Sequence, residues 1–101
     1  MAVLERTRIL QRIEEAGLIA VIRSDSARQA VDTCKALRDG GVTILEVALT
    51  TPGGVHAIEQ LVEELDDCLI GAGTVMSVAA VHDVAKAGAA FVFAPNVNLD
   101  V

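Results

Sequence analysis

Apolar residues in this chain come in short runs, separated by longer stretches in which they recur every three or four positions. Runs at 18–22, 43–49 and 68–72, with a fourth at 90–94, have the continuous apolar character of strands buried in a parallel sheet. They begin about 22–25 residues apart, the spacing of a repeated strand-loop-helix unit. The intervening stretches predict helices with readable ends. Ser26 followed by Gln29 is a capping-box pattern, Ala27, Ala30, Val31, Cys34 and Leu37 form one face, and Gly40-Gly41 offers a left-handed stop, which predicts a helix over 26–39. Thr51 before Pro52 predicts the capped start of a second, with Val55, Ile58, Leu61, Val62 and Leu65 as its stripe. Ser77 caps a third, with Val78, Val81, Val84 and Ala85 inward and Gly88 beyond its end; residues 3–16 read as an additional helix stopped by Gly17. Residues 1–101 therefore read as one α/β domain: an N-terminal helix, then four parallel strands with three intervening helices. Two architectures fit, a small doubly wound open sheet and the first half of an eight-stranded (β/α) barrel, which as a whole needs about 250 residues.

Composition narrows the function classes. Of the 101 residues 52% are hydrophobic and 22% charged, a globular balance, and no apolar run approaches the ~20 residues of a membrane span. A net charge of -6 without a Lys/Arg cluster excludes a nucleic-acid or anionic-membrane surface while leaving room for a small anionic ligand. Cys34 and Cys68 sit among apolar neighbours as expected packing residues, which with the lack of a signal-peptide pattern at the N-terminus predicts a reducing, cytoplasmic setting. With two Phe and no Tyr or Trp, the core must be built from Ala, Val, Leu and Ile, as suits parallel strands covered by helices.

Glu46 is the most informative residue. In Ile44-Leu45-Glu46-Val47-Ala48-Leu49 the two-residue period places Leu45, Val47 and Leu49 toward the helices and Ile44, Glu46, Ala48 and Thr50 on the other face. A carboxylate then points into an apolar interior, where burial raises its pKa toward the range useful for general acid/base work; the alternative is a structural ion pair with Arg23. Arg23 ends the first strand, at the sheet edge where ligand loops gather, and is either a bidentate carboxylate anchor or an ordinary surface arginine. Gly71-Ala72-Gly73-Thr74-Val75 follows the third strand: Gly73 admits close backbone approach and Thr74 offers a hydroxyl, although the same residues also make a tight strand-to-helix turn. Pro95-Asn96 occupies the equivalent edge after the fourth strand. His56 and His82 stand on helices with no partner at ligand spacing, so no metal site is expected, and neither cysteine has a neighbouring His to activate it.

Taken in order, Ala20-Val21-Ile22-Arg23, Gly40-Gly41-Val42, Leu45-Glu46-Val47, Thr51-Pro52, Gly71-Ala72-Gly73-Thr74-Val75 and Ala87-Gly88-Ala89 resemble the 2-keto-3-deoxy-6-phosphogluconate / 4-hydroxy-2-oxoglutarate aldolase family over nearly the whole chain. The resemblance implies a (β/α)8 TIM barrel preceded by a helix, and so the half-barrel rather than the doubly wound sheet. It implies a class I lyase that reversibly cleaves a 2-keto-4-hydroxy acid to pyruvate and an aldehyde through a lysine Schiff base, with no cofactor. Glu46 matches the proton-shuttling carboxylate, and Arg23 an arginine against the substrate carboxylate. Thr74 matches a substrate-contacting hydroxyl, with Gly73 and Pro95 alongside. Thr50 stands where some members carry a second arginine, and Ala94-Pro95-Asn96 matches the family's Ser-Pro-Gly or Ser-Pro-His loop in part. The family's lysine lies on the sixth strand, whereas the lysines here, Lys35 and Lys86, fall on solvent-facing helix positions. The chain alone is therefore expected to be an inactive fragment.

A four-stranded parallel sheet also leaves two edges and an apolar inner face uncovered. A rival expectation is thus a self-assembling half-barrel, truncated or engineered, closing as a homodimer or higher oligomer with strand four of each copy beside strand one of the other. An anion-binding module built on Arg23 and the Gly71-Gly73 turn is a third.

Overall fold

The computed structural model describes residues 3–95. Helix α1 (Val3–Ala16) is followed by β1 (Ala20–Ile22), α2 (Ala27–Asp39), β2 (Ile44–Ala48), α3 (Gly54–Glu64), β3 (Leu69–Gly73) and α4 (Val78–Ala87). The three strands pair in parallel in the order β1-β2-β3. Register sets the two faces of the sheet. The rows Ala20-Leu45-Ile70 and Ile22-Val47-Ala72 point into the core with Ala30, Val31 and Cys34 of α2, Ala57, Ile58 and Leu61 of α3, and Val84 and Ala87 of α4. The row Val21-Glu46-Gly71 and the pairs Ile44-Leu69 and Ala48-Gly73 belong to the opposite, inner face. Helix α3 is central, packing on β2 and β3 and against both α2 and α4, and its Ala57, Ile58 and Leu61 are fully buried.

Helix ends follow local chemistry where a hydroxyl is available. Ser26 Oγ accepts the Gln29 N–H at 3.1 Å, and the Gln29 side chain reaches back to accept the Asp25 N–H at 2.9 Å. Ser77 Oγ accepts the Ala80 N–H at 3.1 Å, and α4 stops at Gly88 in the left-handed region (φ 100°). After α2 the left-handed stop expected from Gly40-Gly41 is supplied by Gly41 (φ 101°), with Gly40 at φ −82°. Elsewhere the structure corrects the sequence expectations. Thr51 does not cap the second strand-following helix: α3 begins three residues later behind Gly53 (φ 70°), and the Thr51 hydroxyl accepts from the Ser24 N–H instead. On α4, Val78 and Ala85 are exposed and Val81, Val84 and Ala87 turn inward. Residues three apart on a helix drift by about 60° per step, which carries Val78 off the stripe centred on Val84.

The first and fourth apolar runs also differ from expectation. Leu18 is exposed and β1 starts at Ala20. The run at 90–94 follows β3 in the same direction but forms a single bridge, Ala72 to Val92, in place of a strand. The Ala90 N–H donates to the Ile70 carbonyl at 2.8 Å and the Phe93 N–H to the Ala72 carbonyl at 2.9 Å, so one side advances three residues while β3 advances two. That extra residue interrupts the ladder as a bulge does. Beyond it the Val75 N–H donates to the Phe93 carbonyl at 3.1 Å, which keeps the segment alongside the end of β3.

Leu61→Ala removes a fully buried side chain from the core between the sheet and the helices and is expected to cost about 2–5 kcal/mol in urea unfolding. Met76→Ala, at a 64% exposed position, is expected to change stability by no more than about 0.5 kcal/mol.

Candidate functional site

The inner face of the sheet gathers the residues that carry chemistry. Glu46, on β2, is only 8% exposed and stands opposite Val21 of β1 and Gly71 of β3. Its carboxyl group lies over Gly73, in space that a side chain on that glycine would fill, while the Phe91 ring fills the corresponding space over Gly71. Among the described residues Glu46 accepts no hydrogen bond and makes no ion pair within 4 Å, and its oxygens are not sealed from water. Burial pushes its pKa above the ordinary carboxylate value, and the charge of Arg23 offsets part of that rise through space. Of the two readings of Glu46 open from sequence, a contact ion pair with Arg23 is therefore not what the structure forms.

Arg23 follows β1 and is exposed. The residue after it is held firmly: the Ser24 N–H donates to the Thr51 hydroxyl at 3.1 Å, and Thr51 is 3% exposed on the loop after β2. Thr51 was not among the site residues expected from sequence, since its position before a proline has the same local pattern as a helix cap. Thr74, half-buried directly after β3, adopts φ 57°. A β-branched residue in the left-handed region costs roughly 1–2 kcal/mol, and such strain tends to gather where a loop must present a particular group. Pro95 is exposed at the same end of the sheet, two residues beyond Phe93; Asn96 lies outside the described residues. The structure thus brings Glu46 and Gly73 together, with Arg23 acting on the carboxylate from a distance and Thr74 next in the chain to Gly73. Phe91 was also missed; two glycines spaced by two on the inner face were the available signal that neighbouring side chains need room there.

Other reactive groups stand apart. The Lys35 ammonium pairs with Glu64 at 3.3 Å on the outer helical layer, and Lys86 is exposed in the last turn of α4. Cys34 and Cys68 are buried free thiols, the former pushed up to about 11 chiefly by burial, which suppresses thiolate chemistry. His56 and His82 are exposed, and no group of three His, Cys, Asp or Glu among the described residues is placed to hold a metal ion. No helix among those residues is long and apolar enough to cross a membrane. A cleft of about 400 Å³ lies between α1 and residues 90–93, lined by Ile9, Leu10, Ile13 and the Phe91 and Phe93 rings; Glu46 is not part of it.

Residues 9–101 match the model of the KDPG and KHG aldolase family. The chain is similar to the KHG/KDPG aldolase of Escherichia coli K12, 38% identical over 81 residues that make up 80% of this chain and 38% of that protein. It superposes on KDPG aldolase from Legionella pneumophila, whose structure holds pyruvate captured at low pH as a covalent carbinolamine intermediate, with a TM-score of 0.70 and 39% identity over 81% of this chain and 39% of that one. A cube-shaped protein cage designed by fusing symmetric oligomeric domains matches with a TM-score of 0.75 and 31% identity over 82% of this chain and 31% of that one. The chain spans about 40% of the length of the curated relatives it matches, so its α/β fold is part of a barrel.

The raised Glu46 pKa has a definite sign in stability. Between the unfolded carboxyl value and the higher folded one, the native state holds a proton that the unfolded chain has lost, so stability falls as pH rises through that window. Glu46→Gln is expected to melt at a higher temperature than the parent at pH 7, with the gain vanishing toward about pH 3, below the carboxyl value of both states. Thermal melts across that range check it, and an unaltered or lower melting temperature at pH 7 would contradict the burial.

Proposed function

This chain belongs to the KDPG and KHG aldolase family, and from that membership we propose that it supplies the acid/base part of a class I pyruvate aldolase site. The carrying observation is Glu46, a residue only 8% exposed on the inner face of a parallel sheet, whose carboxyl group has no ion-pair partner among the described residues yet stays in reach of water. In cleavage of a 2-keto-4-hydroxy acid bound as an iminium, the Glu46 carboxylate takes the proton of the 4-hydroxyl. The bond between carbons 3 and 4 then breaks, its electrons pass to the iminium, and the aldehyde leaves; the same carboxyl returns its proton to carbon 3 of the enamine. Burial raises the Glu46 pKa, which brings it closer to the range in which one group can both accept and donate. Arg23 is the anchor for the substrate carboxylate, with Thr74, Gly73 and Pro95 lining the same edge.

The amine of the Schiff base is not offered by either lysine of this chain, both of which stand on the helical layer. A small 2-keto acid is thus expected to bind here without covalent capture. Titration of the isotopically labelled chain with pyruvate should move amide resonances of Arg23, Glu46 and Thr74, and subsequent borohydride treatment should leave the intact mass unchanged. A pyruvyl adduct on Lys35 or Lys86, or shifts confined to the α1 cleft, would overturn this assignment.

A second reading, self-association, has its own observation. Val21 is 52% exposed on the edge strand β1, while Val92 at 37% and Phe93 at 46% expose apolar surface along the opposite edge. Two copies placing these edges side by side, strand direction preserved, would cover both and close a ring as a homodimer, each copy contributing its three strands and the extended segment at 90–94. Light scattering is expected to report a dimer or larger assembly; a monodisperse monomer that unfolds cooperatively would refute it.

A further inference from the structure

Two inner-face glycines on β3 each leave room for a neighbour's side chain. A Cβ on Gly71 would run into the Phe91 ring, and a Cβ on Gly73 would run into the Glu46 carboxyl group. Neither glycine has a positive φ, in contrast to Gly53 and Gly88, so backbone conformation does not require glycine at either place. What requires it is space. Register puts Gly71 directly opposite Glu46, and Ala48 opposite Gly73. The Glu46 side chain therefore leans diagonally toward the C-terminal edge, and its carboxyl group rests where the Gly73 side chain would otherwise be. Arg23, from the β1 side, is the one charged group among the described residues that acts on it.

We propose that Gly73 is a positioning residue whose missing side chain forms the seat of the Glu46 carboxyl group, holding it against the end of β3. The inference rests on the acid/base reading of Glu46 and goes beyond a substrate-lining role for Gly73, because the glycine is needed by the catalytic group and not by the ligand. The obstructing atoms belong to the far end of a flexible side chain, so a methyl group at residue 73 is expected to displace the carboxyl group without dismantling the sheet.

The test compares the parent chain with Gly73→Ala, following the Glu46 side-chain carboxyl carbon by NMR through a pH titration. Thermal melts of Gly73→Ala, Glu46→Ala and the double variant accompany it. In Gly73→Ala the carboxyl group is pushed toward water, and its titration midpoint is expected to fall back toward the ordinary carboxylate range. In the Glu46→Ala background the seat is vacant, so adding Gly73→Ala is expected to leave the melting temperature within roughly 2 °C. A folded Gly73→Ala with an unchanged Glu46 titration overturns the proposal. If Gly73→Ala does not fold, the double variant decides: melting like Glu46→Ala supports the seat, and failing to fold overturns it. Ordinary titration of Glu46 in the parent chain would instead count against the acid/base reading, and the melts of the double variant would still judge the seat by themselves.

Discussion

The arrangement depends on the strict alternation of faces along β2. The same two-residue period that sends Leu45 and Val47 into the helical layer sends Ile44, Glu46 and Ala48 to the other side. Because the helical side is closely packed, β2 cannot slip by one residue without driving a carboxylate into that core and withdrawing two branched apolar side chains from it. The hydrophobic layer thus fixes the direction of the one ionisable group on the strand. The aim of the Glu46 carboxyl group is a by-product of packing on the opposite face.

Much of this was legible from the residues. The strand-helix repeat is written in the alternation between short apolar runs and helical stripes, and Ser26 and Ser77 mark helix starts because their hydroxyls act on N–H groups only three residues away. Thr51 shows the limit of that logic. Its neighbours look like a cap, but its hydroxyl accepts from Ser24, 27 residues earlier, and nothing local distinguishes the two uses. The fourth apolar run is similar: its composition is that of a strand, whereas the extra residue opposite Ala72 depends on how the segment meets β3.

The candidate site divides along the same line. Glu46 stands out in sequence as a charge interrupting a buried strand, and Gly73 as a glycine at a strand end. That the one occupies the space of the other is a matter of register and lean, which no single-strand pattern contains. Sequence also leaves open whether Arg23 touches Glu46; in the structure the two form no contact ion pair, and the arginine acts on the carboxylate through space. Family membership is secure over residues 9–101, while the span of about 40% of its relatives places the remaining walls of the barrel outside what these elements form.

The contact between Thr51 and Ser24 joins two loops that otherwise leave the sheet independently. One loop begins beside the arginine and the other carries its tethering hydroxyl three residues after the strand bearing the carboxylate, so a tether between them makes the spacing of positive and negative charge a shared mechanical property. Thermal excursions of either loop would be transmitted to the other, and the electric field at Glu46 would fluctuate less than it would with two free tethers.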